Sequence, residues 1–351
     1  MKPVRRDFLK ELPKPELHCH LDGSLRIDTI LDLAQKNKVD IGTSDRDELI
    51  KAVVVKGRVK NLEEYIDKFQ ITLSVLQTPE ALKRAAFELA EDAAAENVRL
   101  LEVRYSPILH QDQGMTPMES LDAVIAGLHD AERAFNIKTG VIICGIRNFS
   151  IESSILLAEL AVAYKYRGVV GYDLAGAEEN FPAKDHLKAF YLTRNNNVNV
   201  TLHAGEAYGP ASIHQAIHYC GANRIGHGTR LREDGDLMNY INDHRICLEI
   251  CLTSNVQTGS IDKIENHPIG FYHNYGLRVT LNTDNRLISG TTLVDEYMLA
   301  HKTFNFNMED FKDFIISGFK SAFLEHRERT KLIKEVAHQI DDYLGESGKK
   351  Y

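Results

Sequence analysis

The residues that could do chemistry begin with His18 and His20, in the stretch Glu16-Leu17-His18-Cys19-His20-Leu21-Asp22-Gly23-Ser24. In an extended segment side chains alternate with period two, so two histidines separated by one residue share a face. Two imidazoles converging on one point make half of a metal site, because neutral imidazole is a common zinc ligand. Gly23 and Ser24 read as the break where a strand ends and a loop begins. An H-x-H pair alone is more often two half-exposed histidines, so its meaning depends on what the rest of the chain supplies.

Three later segments supply it. Thr201-Leu202-His203-Ala204-Gly205-Glu206 ends an apolar run, and the small residues after His203 let Glu206 turn back over the end of the strand. In Ile225-Gly226-His227-Gly228-Thr229 the flanking glycines give close backbone approach and no core volume, so packing explains His227 poorly. Val279-Thr280-Leu281-Asn282-Thr283-Asp284-Asn285 places Asp284 after a β-branched run, where a lone aspartate is more often a helix cap. Together these residues form a nitrogen and oxygen ligand set without thiolate, which suits catalytic zinc with a position open for water. Zinc lowers the pKa of a bound water to about 7. Attack of that water on an sp² carbon needs groups to hold it, which Asp284 and His227 can do. It also needs a proton donor on the far atom, which Glu206 can be.

Such residues must be positioned by the elements that precede them. Short apolar or β-branched runs predict strands at Glu16–His20, Arg99–Tyr105, Lys138–Ile146, Gly168–Leu174, Val198–His203, Arg224–His227, Ile246–Cys251 and Arg278–Asn282. Amphipathic helical patterns fall between them, including Ser120–Phe135, Ile151–Tyr166, Ser212–Cys220 and Asp234–Asn242. Eight strands separated by helices predict a (β/α)8 TIM barrel, whose reactive groups come from the carboxyl ends of its strands. The alternative, an open doubly wound sheet, lacks the expected G-x-G-x-x-G after the first strand. The interval of about 27–97 holds Ile27–Asn37, Arg46–Val54, Leu62–Leu76 and Pro79–Asn97, all helical in spacing. It predicts a helical insertion lying as a lid over the barrel mouth. Leu293–Phe304, Met308–Phe323 and Glu325–Leu344 read as closing helices on a single domain spanning 1–351.

At 351 residues and a formal net charge of −8, the chain can bury a large core and has no basic footprint for a nucleic acid. No apolar run approaches the ~20 residues needed to cross a bilayer. The basic start lacks an apolar signal core, and Cys19, Cys144, Cys220, Cys247 and Cys251 are odd in number and scattered. These features predict a cytoplasmic protein with reduced thiols, no membrane partner and no thiolate zinc site.

With these residues in hand, the sequence resembles the adenosine deaminase family of metal-dependent amidohydrolases from about Pro15 to the C-terminal helices. The resemblance rests on ELHCHLDGS, LEVRYSP at Leu101–Pro107, DLAGAE at Asp173–Glu178, HAGE at His203–Glu206, IGHGT at Ile225–Thr229 and LNTDN at Leu281–Asn285. It implies one zinc ion per chain, held by His18, His20, His203 and Asp284. It implies that Asp284 accepts the proton of the attacking water, that His227 orients that water, and that Glu206 protonates N1 of an adenine ring. Gly176 would give its N–H to N3, Asp22 and His20 would bind the ribose 5′-hydroxyl, and Asn285 would reach N7. Leu62, Tyr65 and Phe69, spaced three and four apart on the inserted helix, would cover the ring; plain helix packing explains those three equally well.

The family's animal pattern has a second aspartate where this chain has Asn285. N7 only accepts, so an aspartate must be protonated to bond it, whereas an asparagine amide donates at any pH. The reaction expected is hydrolysis of adenosine, and of 2′-deoxyadenosine, to inosine and ammonia, with a small purine nucleoside and water as partners. Other adenine-bearing substrates are the alternatives: adenine, N6-methyl-AMP or an aminofutalosine. A phosphate-bearing one would want basic residues near the mouth, for which Arg26, Arg104 and Arg286 are the candidates. A non-catalytic purine-binding relative would have lost at least one of the six chemical positions, and a two-metal hydrolase would use Asp173 as a further ligand.

Overall fold

The computed structural model describes residues 4–59 and 62–345. Eight parallel strands run in the order β1 to β8, each beside its sequence neighbours. They are β1 (Lys14–His20), β2 (Val98–Tyr105), β3 (Lys138–Ile146), β4 (Val169–Ala175), β5 (Asn199–Ala204), β6 (Arg224–His227), β7 (Cys247–Ile250) and β8 (Val279–Leu281). The ends meet through a parallel bridge between Cys19 and Asp284. There the His20 N–H donates to the Asp284 carbonyl at 2.7 Å, and the Asp284 N–H to the His18 carbonyl at 2.9 Å. The result is the (β/α)8 barrel expected from the alternation of patterns. Its strands are buried on both faces, which is why they read as near-continuous apolar runs.

Strand positions match the sequence expectation within two residues, and the differences lie in the helices. The helix expected from Ser120 starts at Pro117, because Thr116 caps it with Glu119 reciprocating and proline fits the first helical position. The helix expected over Leu62–Leu76 is two helices, Leu62–Ile66 and Phe69–Val75. Leu62 and Tyr65 therefore share one short helix and Phe69 opens the next, so the three do not line one continuous face. Packing overrides periodicity here: Tyr65 is buried with Val55 and Ile288, with Phe69 packed against them. The expected helix Ser212–Cys220 is an α-turn at Pro210–His214 followed by a π-turn at Gln215–Tyr219.

Between β1 and β2 the last helix, Pro79–Ala95, packs on the helix Pro117–Ala134 and on β2, in the outer helical layer. The closing helix Met308–Ser321 lies against β1 and β8, covering the seam where the barrel shuts. All five cysteines are buried and free. Among the described residues, no helix is long and apolar enough to cross a membrane.

Candidate active site

His18, His20, His203 and Asp284 come from the carboxyl ends of β1, β5 and β8, and their ligand atoms all lie within 4.8 Å of one another. His18 Nε2 and His20 Nε2 stand 3.3 and 3.4 Å from Asp284 Oδ1, and His20 Nε2 is 3.2 Å from His203 Nε2. His18 Nε2 is fully buried without a hydrogen-bond partner. A buried imidazole nitrogen left unpaired is costly unless a bound ion satisfies it. Three nitrogens and one oxygen aimed at one point fit a divalent metal of zinc type.

Two of the three imidazoles, His18 and His203, are each turned by a carboxylate behind them. Glu249 Oε2 accepts from His18 Nδ1 at 3.0 Å, and Asp173 Oδ2 lies 3.0 Å from His203 Nδ1. These contacts place the proton on Nδ1 and leave the Nε2 lone pair able to bind a metal. Arg104 joins the two supports, donating to Asp173 and to Glu249 at 2.8 Å each. Glu249 also accepts from Thr201 at 2.9 Å and from Arg224 Nε at 2.5 Å. Burial alone would raise both carboxyls, but Arg104 and Arg224 hold Glu249 well below the usual range. His203 and Arg104 do the same for Asp173. Burial pushes His18 down to about 4. It would lower His203 too, but Asp173 outweighs it and the net shift is upward. Asp173 therefore sits behind His203 and joins no metal-ligating cluster among the described residues.

His227 is the last residue of β6, paired with Ala204, the residue after His203. The glycine before it is required, since a Cβ on Gly226 would lie 3.0 Å from His18 Cε1 and 3.2 Å from His203 Cα. Its tautomer is set by a chain of donors. The Ile269 N–H donates to His267 Nδ1, His267 Nε2 donates to Asn255 Oδ1 at 3.2 Å, and the Asn255 amide donates to His227 Nδ1 at 3.0 Å. Nδ1 of His227 is thereby an acceptor, and its proton sits on Nε2, 3.5 Å from Glu206 Oε2. Burial raises the Glu206 carboxyl above its ordinary value, against the opposing pull of His227 and with the push of Asp284. Ser254 donates to Asp284 Oδ2 at 2.6 Å, leaving Oδ1 toward the histidines.

The remaining expected residues surround this cluster. Asp22 is buried with Oδ1 unpartnered, and burial lifts its carboxyl to about 7. Gly176 follows β4 with φ of +93°, a conformation that favours glycine. The Asn285 amide donates to the Tyr65 hydroxyl at 3.1 Å, and that hydroxyl lies 2.7 Å from Ser289 Oγ. Leu62 lines a cavity of about 310 Å³ with Glu206, Glu178, Arg58 and Arg230. Sequence reasoning missed Glu249, Asn255 and His267. Asn255 carried a usable signal, because it lies just past the carboxyl end of β7, where this barrel gathers its polar groups.

A parallel eight-stranded barrel with such a cluster at its carboxyl end defines the class of metal-dependent amidohydrolases. A sequence model of the adenosine deaminase family matches residues 13–339, and the chain belongs to that family. It is 42% identical over 347 residues to the adenosine deaminase of Mycobacterium marinum, covering 94% of this chain and 95% of the relative. Among solved structures it resembles the adenine deaminase of Arthrobacter aurescens, with a TM-score of 0.88 and 25% identity, covering 94% of this chain and 99% of the other. An amidohydrolase from Burkholderia ambifaria, whose structure has bound Zn, shares the fold with a TM-score of 0.88 at 24% identity, covering 98% of this chain and 95% of the other.

Proposed function

We propose that this enzyme hydrolyses adenosine and 2′-deoxyadenosine to inosine or deoxyinosine and ammonia, with one zinc ion held by His18, His20, His203 and Asp284. The observation that carries this reading is the convergence of those four side chains beside the buried pair His227 and Glu206. When bound, zinc acidifies the attacking water at neutral pH. His227 Nε2–H orients the water oxygen, and Asp284 accepts the water's proton as the oxygen adds to C6. Glu206, whose carboxyl burial shifts toward the protonated form, gives a proton to N1, so the C6–N1 double bond becomes single. The proton held by Asp284 then passes to the amino nitrogen, the C6 hydroxyl returns a proton to Glu206, and the C6–N bond breaks to release ammonia as C6 becomes a carbonyl. Gly176 N–H binds N3, the Asn285 amide donates to N7, and Leu62, Tyr65 and Phe69 cover the ring.

Two features favour a nucleoside. Asp22 offers a buried acceptor without a donor, which a ribose hydroxyl supplies with help from His20 and a free base does not. The three arginines considered for a phosphate are engaged: Arg26 with Glu91 and Asp92, Arg104 inside the barrel, and Arg286 with Glu16 and Glu96. At the cavity beside Glu206, Arg58 and Arg230 share their surroundings with Glu178 and Glu179.

Glu206→Gln keeps the shape and the metal ligands but removes the acidic proton. It should retain one zinc per chain and lose about 10²–10⁴-fold in kcat, followed by ultraviolet absorbance with adenosine. A kcat within tenfold of the parent would remove Glu206 from this role. Parallel assays with deoxyadenosine, adenine and AMP test the substrate, and a preference for adenine or AMP would overturn the nucleoside assignment.

A further inference from the structure

Glu178, the last residue of the DLAGAE motif, is buried and takes no part in the chemistry above. Its Oε1 accepts the Gly205 N–H at 2.6 Å. Its Oε2 accepts the N–H groups of Glu206 at 2.9 Å, Ala207 at 2.6 Å and Tyr208 at 2.9 Å. Four consecutive amides of one loop converge on one side chain, and that loop carries Glu206. From the other side, Thr229 Oγ1 and the Arg230 N–H bind the Gly205 carbonyl at 2.6 and 3.2 Å. Gly205 itself has φ of +70°, and a Cβ there would meet Ile213 Cδ1 at 2.5 Å.

Successive N–H groups pointing into one concavity attract an anion. Without Glu178, the concavity would attract another carboxyl, and that of Glu206 is carried by the loop itself. Drawn in, Glu206 would face away from His227, and hydrogen bonds from amides would favour its ionised form. We propose that Glu178 is the positioning residue for the proton donor: it occupies the loop's amide array so that the Glu206 side chain is turned toward the reacting ring and remains an acid. This rests on the reading of Glu206 as the donor to N1.

The test uses the full-length zinc enzyme with Glu178→Gln, which offers one acceptor oxygen to four donors, and Glu178→Asp, which keeps the charge but sets it one methylene back. Two equilibrium probes separate positioning from general damage. Inosine reports ground-state binding. Purine riboside, with hydrogen at C6, can add water across C6 and N1 but has no amine to lose, so its tight binding needs the N1 proton. Both variants should keep zinc and bind inosine within about threefold. Both should lose about tenfold to a hundredfold in kcat, as expected for a misplaced group, and a similar factor in purine riboside affinity, with the aspartate milder. An unchanged kcat, or inosine and purine riboside affinities falling together, would overturn the proposal. Glu206→Gln runs alongside: if it retains activity the donor reading fails, whereas if it is inactive and the Glu178 variants are normal, only the role of Glu178 fails.

Discussion

Replacing Asn255 tests whether the tautomer of His227 matters to turnover. Asn255 links two imidazoles, donating to His227 Nδ1 at 3.0 Å and accepting from His267 Nε2 at 3.2 Å. All three side chains are buried, so water cannot replace either bond. Leucine removes both, and each buried polar group left unpaired costs about 1–3 kcal/mol. If the cost of one falls on the orientation of His227, kcat drops about 5-fold to 150-fold, at 1.36 kcal/mol per tenfold. Aspartate is nearly isosteric but replaces the donor with an acceptor, which draws the His227 proton onto Nδ1 and away from the reacting side. Shape alone would make aspartate the milder change, whereas control of the tautomer makes it the more severe one. Steady-state kinetics with adenosine, zinc content and inosine affinity for both variants decide the matter. Aspartate milder than leucine, or leucine within twofold of the parent, would refute the argument.

Stripping the metal should leave His18 Nε2 buried and unpaired, and lower thermal stability. With free zinc at 1,000 times its dissociation constant the linkage is worth about 4 kcal/mol. A melting temperature that falls by several degrees on chelation and recovers with one equivalent of zinc is expected; no change, or a requirement for two equivalents, would count against a single ion. Asn285→Asp should keep activity but weaken purine binding as pH rises, because aspartate can donate to N7 only while protonated; competitive inhibition by inosine across pH checks this, and superimposable profiles would contradict it.

The barrel was legible because each strand is buried on both faces and so reads as a short apolar run bounded by turns. The ligand cluster was legible because its members sit at the ends of those runs. What escaped was whatever depends on contacts between distant strands. Arg104 in LEVRYSP gives no sign that it spans to Asp173 and Glu249, since an arginine in a strand pattern is as readily solvent-facing. The short helices Leu187–Asn195, Leu252–Gln257 and Ile269–Tyr275 span too few turns to show a periodicity. Glu178 was visible as part of a motif, yet its function depends on a loop 27 to 30 residues away.

The backbone carries its own record of where function resides. Among the described residues, eight non-glycine residues have positive φ, and four of them are asparagines, which tolerate that region. Lys38 and Arg245 lie exposed at or just past helix ends. His227 and Asp284 are different, being buried at the carboxyl ends of β6 and β8 with φ of 64° and 62°. Such conformations cost of order 1–3 kcal/mol each and persist only where surrounding structure imposes them. For Asp284 that structure is the seam itself, where its N–H and carbonyl bond to β1 at His18 and His20. For His227 it is the Asn255 amide on one side and the Gly228 N–H bonded back to Ala204 on the other. The hydrogen bonds that hold the barrel shut therefore also hold Asp284 over its mouth, whereas His227 is held there by contacts to β5 and to the short helix after β7.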